Sequence, residues 1–351
     1  MNFLEFYGLK EDPFRLSPDP VYFYPSRSHQ VALDSLDYTV EQKEGFCLIS
    51  GEPGTGKTTI LKVFIDRWKE RASIALILTP RLGPEEFLQA LLEELNVECA
   101  DIGTGTGKGK GKINMLKAFR DFLLEMSERK RPVVIIVDEA QELPDETLEE
   151  LRLLSNLETE KEKLLQIILV GQPEIESRLS ASSLRQLDQR INVRARVVPL
   201  TAGEITAYIN HRLLRAGKGF LRLDDKMVRM IKGFSMGVPR IINVITSRTI
   251  MAAYLEGQNV VTAKHVRYAI DHLDSDRPAR RLRRGPVIYG AVAVIFFCIA
   301  LVLGYLVAFR GGPEPEAASV HGASAGVVEP APQLEPAGGE AISMRSTPAK
   351  P

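Results

Sequence analysis

Gly51-Glu52-Pro53-Gly54-Thr55-Gly56-Lys57-Thr58 satisfies G-x-x-x-x-G-K-[ST] at every position, and it stands between an apolar run, Phe46 to Ser50, and a stretch of helical periodicity. No other part of the chain restricts the fold so strongly. The glycines allow a tight turn that aims backbone N–H groups at phosphate oxygens, at the start of a helix whose dipole favours anions. Lys57 is expected to reach the β and γ phosphates of a nucleotide and Thr58 to ligate Mg²⁺, with Thr59 completing the phosphate-binding set. Beyond it, Ile60, Leu61, Phe64, Ile65 and Trp68 recur at helical spacing, so one face of the following helix is expected to be buried against a sheet.

A phosphate loop needs a second acidic element if the bound nucleotide is to be hydrolysed. Val133 to Val137 is an unbroken β-branched run, the mark of a central parallel strand covered on both faces, and it leads directly into Asp138-Glu139. Carboxylates at the carboxyl end of such a strand lie where α/β sheets present ligands. The expected roles are Mg²⁺ binding through water for Asp138 and polarisation of the attacking water for Glu139. Leu165 to Val170 reads as another strand, followed by Gly171-Gln172-Pro173. Gln172 is thus either a γ-phosphate contact or an ordinary loop glutamine. Arg185 and Arg190 precede a mixed strand, Val193 to Leu200. They are either surface salt-bridge partners or groups that project into a neighbour's site, a task suited to arginine's planar fork. Arg240, in Gly237-Val238-Pro239-Arg240 at the start of a helix, is placed to fold over the nucleotide phosphates.

The chain has 351 residues, room for two domains, and its 44% hydrophobic and 26% charged content is that of a folded protein. Lys plus Arg (45) equals Asp plus Glu (45), so net charge argues against nucleic acid as a partner. Cys47, Cys99 and Cys298 have no metal-binding spacing and read as free thiols in a reducing compartment. The N-terminus lacks the basic and apolar regions of a signal peptide. Residues 1–30, rich in aromatics and proline, are expected to form an ordered arm lying on the domain; 31–200 alternate strand and helix patterns; and 201–276 read as wholly helical, with Thr201 and Glu204 as a capping box. Within 31–200, glycine alternates with lysine and threonine over 103–112, which predicts a flexible cationic loop, and Leu116 to Met126 predicts an amphipathic helix. Residues 277–285 are basic, and 286–309 carry no charge. At about 1.5 Å per residue a helix of that length exceeds the roughly 30 Å hydrocarbon thickness, which predicts a transmembrane helix. Five arginines precede the span and only Arg310 closely follows it, placing residues 1–285 in the cytoplasm. The tail from 310 to 351, rich in Pro, Ala, Gly and Glu, is expected to be disordered.

In order along the chain, Phe6-Tyr7-Gly8-Leu9, Asp12-Pro13-Phe14, Ser17-Pro18-Asp19-Pro20, Gly45-Phe46, Asp138-Glu139-Ala140-Gln141, Val170-Gly171-Gln172-Pro173 and Gly237-Val238-Pro239-Arg240-Ile241-Ile242-Asn243 resemble the motifs of AAA+ ATPases, and more narrowly of the bacterial general secretion pathway protein A family. The resemblance covers residues 1 to about 275. It implies an α/β P-loop core with a parallel five-stranded sheet and an all-helical lid, with ATP and Mg²⁺ bound at a subunit interface of a homo-oligomer, in a ring or an ATP-dependent assembly. By position it makes Gln172 the sensor 1 residue, Arg190 the arginine finger with Arg185 next, and Arg240 sensor 2. The implied function is an inner-membrane ATPase that drives assembly of a secretion or pilus-type envelope machine. Alternatives are an exopolysaccharide-export accessory ATPase and an ATP-gated DNA-binding regulator of the transposition type, the latter opposed by the neutral charge and the apolar span. Well-studied members carry a periplasmic peptidoglycan-binding domain after the membrane helix, where a short tail stands here.

Overall fold

A computed structural model describes residues 3–78, 81–99, 108–158, 162–217, 221–275, 296–302 and 305. Five parallel strands form its sheet: β1 (Phe46–Gly51), β2 (Ser73–Ile77), β3 (Val133–Val137), β4 (Leu165–Gly171) and β5 (Ile191–Val197), in the order β2-β3-β4-β1-β5. Every residue of β1, β3 and β4 is buried, as continuous apolar strands covered on both faces must be. The strand residues alternate between two cores. Cys47, Ile49, Val134, Ile136, Ile168 and Val170 face α2 (Arg27–Glu41) and α3 (Lys57–Trp68), which supply Leu33, Leu36, Phe64 and Trp68. Leu48, Ile135, Val137, Ile167 and Leu169 face the opposite way, toward Phe87 and Leu91 of α4 (Pro84–Glu94), Phe119 and Leu123 of α5 (Lys108–Glu128) and Leu148 and Leu151 of α6 (Asp145–Leu154).

Sheet register sets the geometry of the carboxyl edge. Ser50 pairs with Gly171 and Val137 with Leu169, so the loops after β1, β4 and β3 leave side by side, with the β4 loop in the middle. Two short helices, α7 (Glu174–Leu179) and α8 (Arg185–Asp188), return the chain to β5.

After β5 the chain is helical: α9 (Ala202–Arg215), α10 (Asp225–Ser235), α11 (Pro239–Leu255) and α12 (Ala263–Ser275). The first begins at the expected capping box, Thr201 accepting from the Glu204 N–H while the Glu204 carboxylate accepts from the Thr201 N–H at 2.8 Å. These helices build a third core from Ile205, Ile209, Ile231, Ile242 and Ile245, and it takes in Tyr7 of α1 (Phe3–Tyr7) together with Leu9, Phe14 and Tyr22 of the arm. The arm is therefore part of the helical core. Arg212 of α9 secures it: the residue is 8% exposed, and its guanidinium donates to the carbonyls of Pro13 and Arg15 and lies 4.7 Å from the centre of the Tyr22 ring.

One expectation is corrected. The stretch 103–112 reads as a flexible loop, yet from Lys108 onward it is the first turn and more of α5; 103–107 lie outside the described residues. Each glycine in a helix costs about 1 kcal/mol relative to alanine, but the amphipathic run from Met115 propagates the helix backward and Lys112 Nζ is tied at 2.7 Å to the Glu150 carboxylate, which is only 8% exposed. Tertiary pairing here overrides local propensity.

Residues 1–280 form one compact unit and 281–351 a second. In the second, 296–302 and 305 are described; they are helical, and Phe296, Phe297, Leu301 and Tyr305 are exposed. The predicted span 286–309 lies mostly outside the described residues, and the basic stretch 277–285 and the tail 310–351 lie wholly outside them. Among the described residues no helix is long and apolar enough to cross a membrane.

Phe119 of α5 is fully buried in the core that α4, α5 and α6 share with the sheet. Phe119→Ala is expected to lower the stability of the 1–280 unit by about 3–5 kcal/mol, read from the urea midpoint of its unfolding.

Candidate nucleotide site

The loop after β1 is built from backbone first. Gly54 and Gly56 have φ of +78° and +105°, a left-handed region that side chains disfavour, and a Cβ on Gly54 would come within 2.8 Å of the Arg240 Cβ. Thr55 is fully buried, its hydroxyl donating to the Glu52 carbonyl at 2.7 Å. Lys57 opens α3 and is 5% exposed; its ammonium donates to the carbonyls of Gly51 (2.6 Å) and Glu52 (3.2 Å), so the lysine lies along the loop it serves.

Facing this loop, the Thr58 hydroxyl donates to Asp138 Oδ2 at 3.0 Å, and Asp138 Oδ1 accepts the N–H of Glu139 at the same distance. The pair of hard oxygens suits Mg²⁺, which takes one or two protein oxygens and keeps the rest of its shell for water and phosphate. No group of three or more His, Cys, Asp or Glu that could hold a metal occurs among the described residues. Burial pushes Asp138 above the usual carboxylate range and Lys57 below the usual lysine range, each against the pull of its polar neighbours. Burial thus disfavours the charged form of each, an effect that a bound dication and polyphosphate would oppose.

Glu139 has φ +53°, an uncommon backbone for a residue with a side chain, and it turns the chain sharply after β3 into the single helical turn Ala140–Glu142. Its Oε2 accepts from Gln172 Nε2 at 3.3 Å and from Gln141 Nε2 at 2.6 Å. The structure therefore brings Lys57, Thr58, Asp138, Glu139 and Gln172 together. It also puts Arg240 against them: the Arg240 N–H donates to the Gly54 carbonyl at 3.2 Å, and its side chain, exposed, lines the same cavity as Lys57, Thr58, Thr59 and Glu139. That cavity, about 220 Å³, is closed on its far side by Arg15 to Asp19 of the arm and by Tyr208, Arg212 and Asn243.

Arg190 is not part of this cluster. It immediately precedes β5, whose first residue, Ile191, pairs with the first residue of β1, so it sits at the amino edge of the sheet, opposite the phosphate loop. There its guanidinium donates to Ser155 Oγ at 3.2 Å; Arg185 is exposed on α8. Neither arginine reaches the chain's own site.

Three contributions escape a reading of the sequence. Gln141 stands two residues beyond Glu139, close enough to be noticed, but only the turn at Glu139 brings its amide back onto the carboxylate. The arm was expected to lie on the domain, with nothing to indicate that Arg15 to Asp19 would wall the cavity. His29 of α2 has no local signal at all: its Nε2–H donates to the Thr55 carbonyl at 2.8 Å, and a Cβ on Gly56 would meet that nitrogen at 2.8 Å. The carbonyl can only accept, which fixes the tautomer and leaves Nδ1 to accept from the Ser26 hydroxyl.

A parallel sheet with a phosphate loop after its buried strand β1 and paired carboxylates at the end of β3 defines an ATPase of the AAA+ P-loop class, and residues 40–179 match the family model described as an AAA domain. Over 260 residues, 74% of this chain, the sequence is 38% identical to General secretion pathway protein A of Aeromonas hydrophila, of whose length it spans 46%. The resemblance drawn from the motifs is borne out over that part. Among solved structures, Cdc6p from Pyrobaculum aerophilum superposes with a TM-score of 0.55 at 19% identity, covering 74% of this chain and 70% of that one. The ORC2 protein of Aeropyrum pernix superposes with a TM-score of 0.54 at 14% identity, covering 75% and 73%. At those identities the likeness establishes the fold.

Burial holds His29 neutral to lower pH than its ordinary value of 6.5, against the opposing effects of the Thr55 carbonyl and the Glu204 carboxylate, and burial moves His211 in the same direction. As pH falls through about 6.5 the unfolded chain takes up protons that the folded chain refuses, so stability drops with acidification. The urea midpoint is expected to fall between about pH 7.5 and about pH 5.5, and to fall less in His29→Gln, which keeps a donor for Thr55 but does not titrate.

Proposed function

We propose that the chain is a Mg²⁺-dependent ATPase whose turnover drives a membrane-associated assembly of the secretion or pilus kind. The observation that carries the hydrolytic reading is the pairing of Thr58 with Asp138 beside Glu139, with Thr58 and Glu139 lining the same cavity as Lys57. ATP would lie with its phosphates along residues 51–59 and its base toward the arm and α9. Mg²⁺ held by Thr58 and Asp138 would supply positive charge to the phosphate oxygens. Lys57 neutralises charge on the β and γ phosphates, Glu139 takes up the proton of the attacking water, Gln172 contacts the γ-phosphate or that water, and Arg240 closes over the phosphates from α11.

Arg190 completes the site from a second copy. Its place at the amino edge of its own sheet, away from its own cavity, supports a role in trans and a homo-oligomer with sites at the subunit interfaces. Helices α9 to α12 act as the lid over each site. The secretion or pilus assignment rests on the similarity to General secretion pathway protein A, and the membrane anchor on the uncharged stretch 286–309 with its basic flank.

Glu139→Gln is expected to bind ATP with near-normal affinity and to release phosphate at least about a hundredfold more slowly, measured as steady-state phosphate release beside nucleotide binding. Normal hydrolysis by this variant would remove Glu139 as the base. Arg190→Ala is expected to bind ATP yet lose roughly 10³-fold in turnover, and mixing it with subunits inactivated at Glu139 should restore turnover at the interfaces that pair an intact arginine with an intact carboxylate.

A further inference from the structure

Glu139 is gripped by more than the sensor glutamine, and the second contact is the shorter. Gln141 Nε2 stands 2.6 Å from Glu139 Oε2, against 3.3 Å for Gln172 Nε2. The orientation of the Gln141 amide follows from its other end: its Oε1 accepts the backbone N–H of Gln172 at 3.0 Å, which only an oxygen can do, so the NH₂ must face the carboxylate. Gln141 is itself held from behind. Arg178 of α7 donates to the Gln141 carbonyl at 2.6 Å and to the Leu143 carbonyl at 2.8 Å, and it is paired with Asp145. Gly171 leaves room for the arrangement, since a Cβ there would come within 2.9 Å of Gln141 Oε1.

From this geometry we infer that Gln141 is a positioning residue for catalysis: its amide, locked between the end of β4 and the turn after β3, fixes the Glu139 carboxylate with Oε2 engaged by two amides and Oε1 turned to the water. The inference rests on the proposed ATPase reading, in which Glu139 is the base. A carboxylate on a mobile stem spends most of its time misdirected; two N–H donors on one oxygen remove that freedom and leave the other oxygen as the acceptor for the proton to be transferred. Gln141 is not among the residues that line the cavity, so its loss should act on the chemical step and not on binding. It also ties Glu139 to Gln172, so a displacement of the β4 loop is passed to the base through one side chain.

Two variants of the full chain separate this role from a structural one. Gln141→Met keeps the length of the side chain and loses both hydrogen bonds. Gln141→Glu keeps an acceptor for the Gln172 N–H and loses the donor to Glu139. Steady-state kcat and KM for ATP are measured beside equilibrium binding of ATP under non-hydrolysing conditions. Both variants are expected to lose about tenfold to a hundredfold in kcat, the range for removing a hydrogen bond to a charged group, with KM and ATP affinity within about twofold of the parent. Retained ATP affinity also reports that the variants are folded. Wild-type kcat in Gln141→Met would overturn the proposal, and so would a loss in Gln141→Met that Gln141→Glu does not share, because Gln141 would then only brace the β4 loop. Glu139→Gln in the same assay keeps the two readings apart: if it is inactive while both Gln141 variants turn over normally, the positioning role alone falls, whereas normal hydrolysis by Glu139→Gln removes the base on which the inference stands.

Discussion

The position of β4 between β1 and β3 is the constraint on which the rest of this structure depends. Parallel pairing on both sides of one buried strand delivers the phosphate loop, the Gln172 loop and the Asp138-Glu139 pair to a single edge in adjacent places. Such a strand has no face for water, so both sheet faces must be covered, and α2 and α3 on one side and α4 to α6 on the other do so. Register then matters at the level of single residues. A slip of β4 by one position would exchange the two faces of Ile167, Ile168, Leu169 and Val170 and carry Gln172 away from Glu139 together.

Electrostatically the site is held in tension by its own fold. Asp138 and Lys57 are each 5% exposed, and desolvation acts on both against their charged forms. What keeps them in place is local hydrogen bonding: Thr58 and the Glu139 N–H on the carboxylate, the Gly51 and Glu52 carbonyls on the ammonium. The same strategy appears at Arg212, a buried guanidinium satisfied by two arm carbonyls and the Tyr208 hydroxyl and faced by the Tyr22 ring, so that the arm and the helical core share one cation.

Legibility of these features follows the distance over which their causes act. The phosphate loop and the run Val133 to Glu139 could be read directly, because a contiguous spelling dictates both the local conformation and its place at the end of a strand. Gln172 was legible as a position and ambiguous as a role, since its contact with Glu139 spans 33 positions. His29 was invisible because its partner, Thr55, is 26 residues away and nothing around a helical histidine announces it. The glycine and lysine stretch misled for a related reason: propensity favoured a loop, and the Lys112–Glu150 contact that favours a helix is a tertiary one. For Arg190 the sequence supplied the residue type, while the contact it makes in the fold, with Ser155 Oγ, spans 35 positions.

The single hydrogen bond from the Arg240 N–H to the Gly54 carbonyl joins the first turn of α11 to the crown of the phosphate loop, main chain to main chain. Close packing of the Arg240 stem on Gly54, where even one added methyl would collide, makes the join rigid. Thermodynamic linkage gives this a definite meaning. If nucleotide shifts the equilibrium position of α11 by some factor, then any load that shifts α11 must change nucleotide affinity by that same factor. Under the proposed ATPase reading a join of this kind would work in both directions: helices shifted by ATP would also be the handle by which whatever grips them could pull ATP tighter or let its products go.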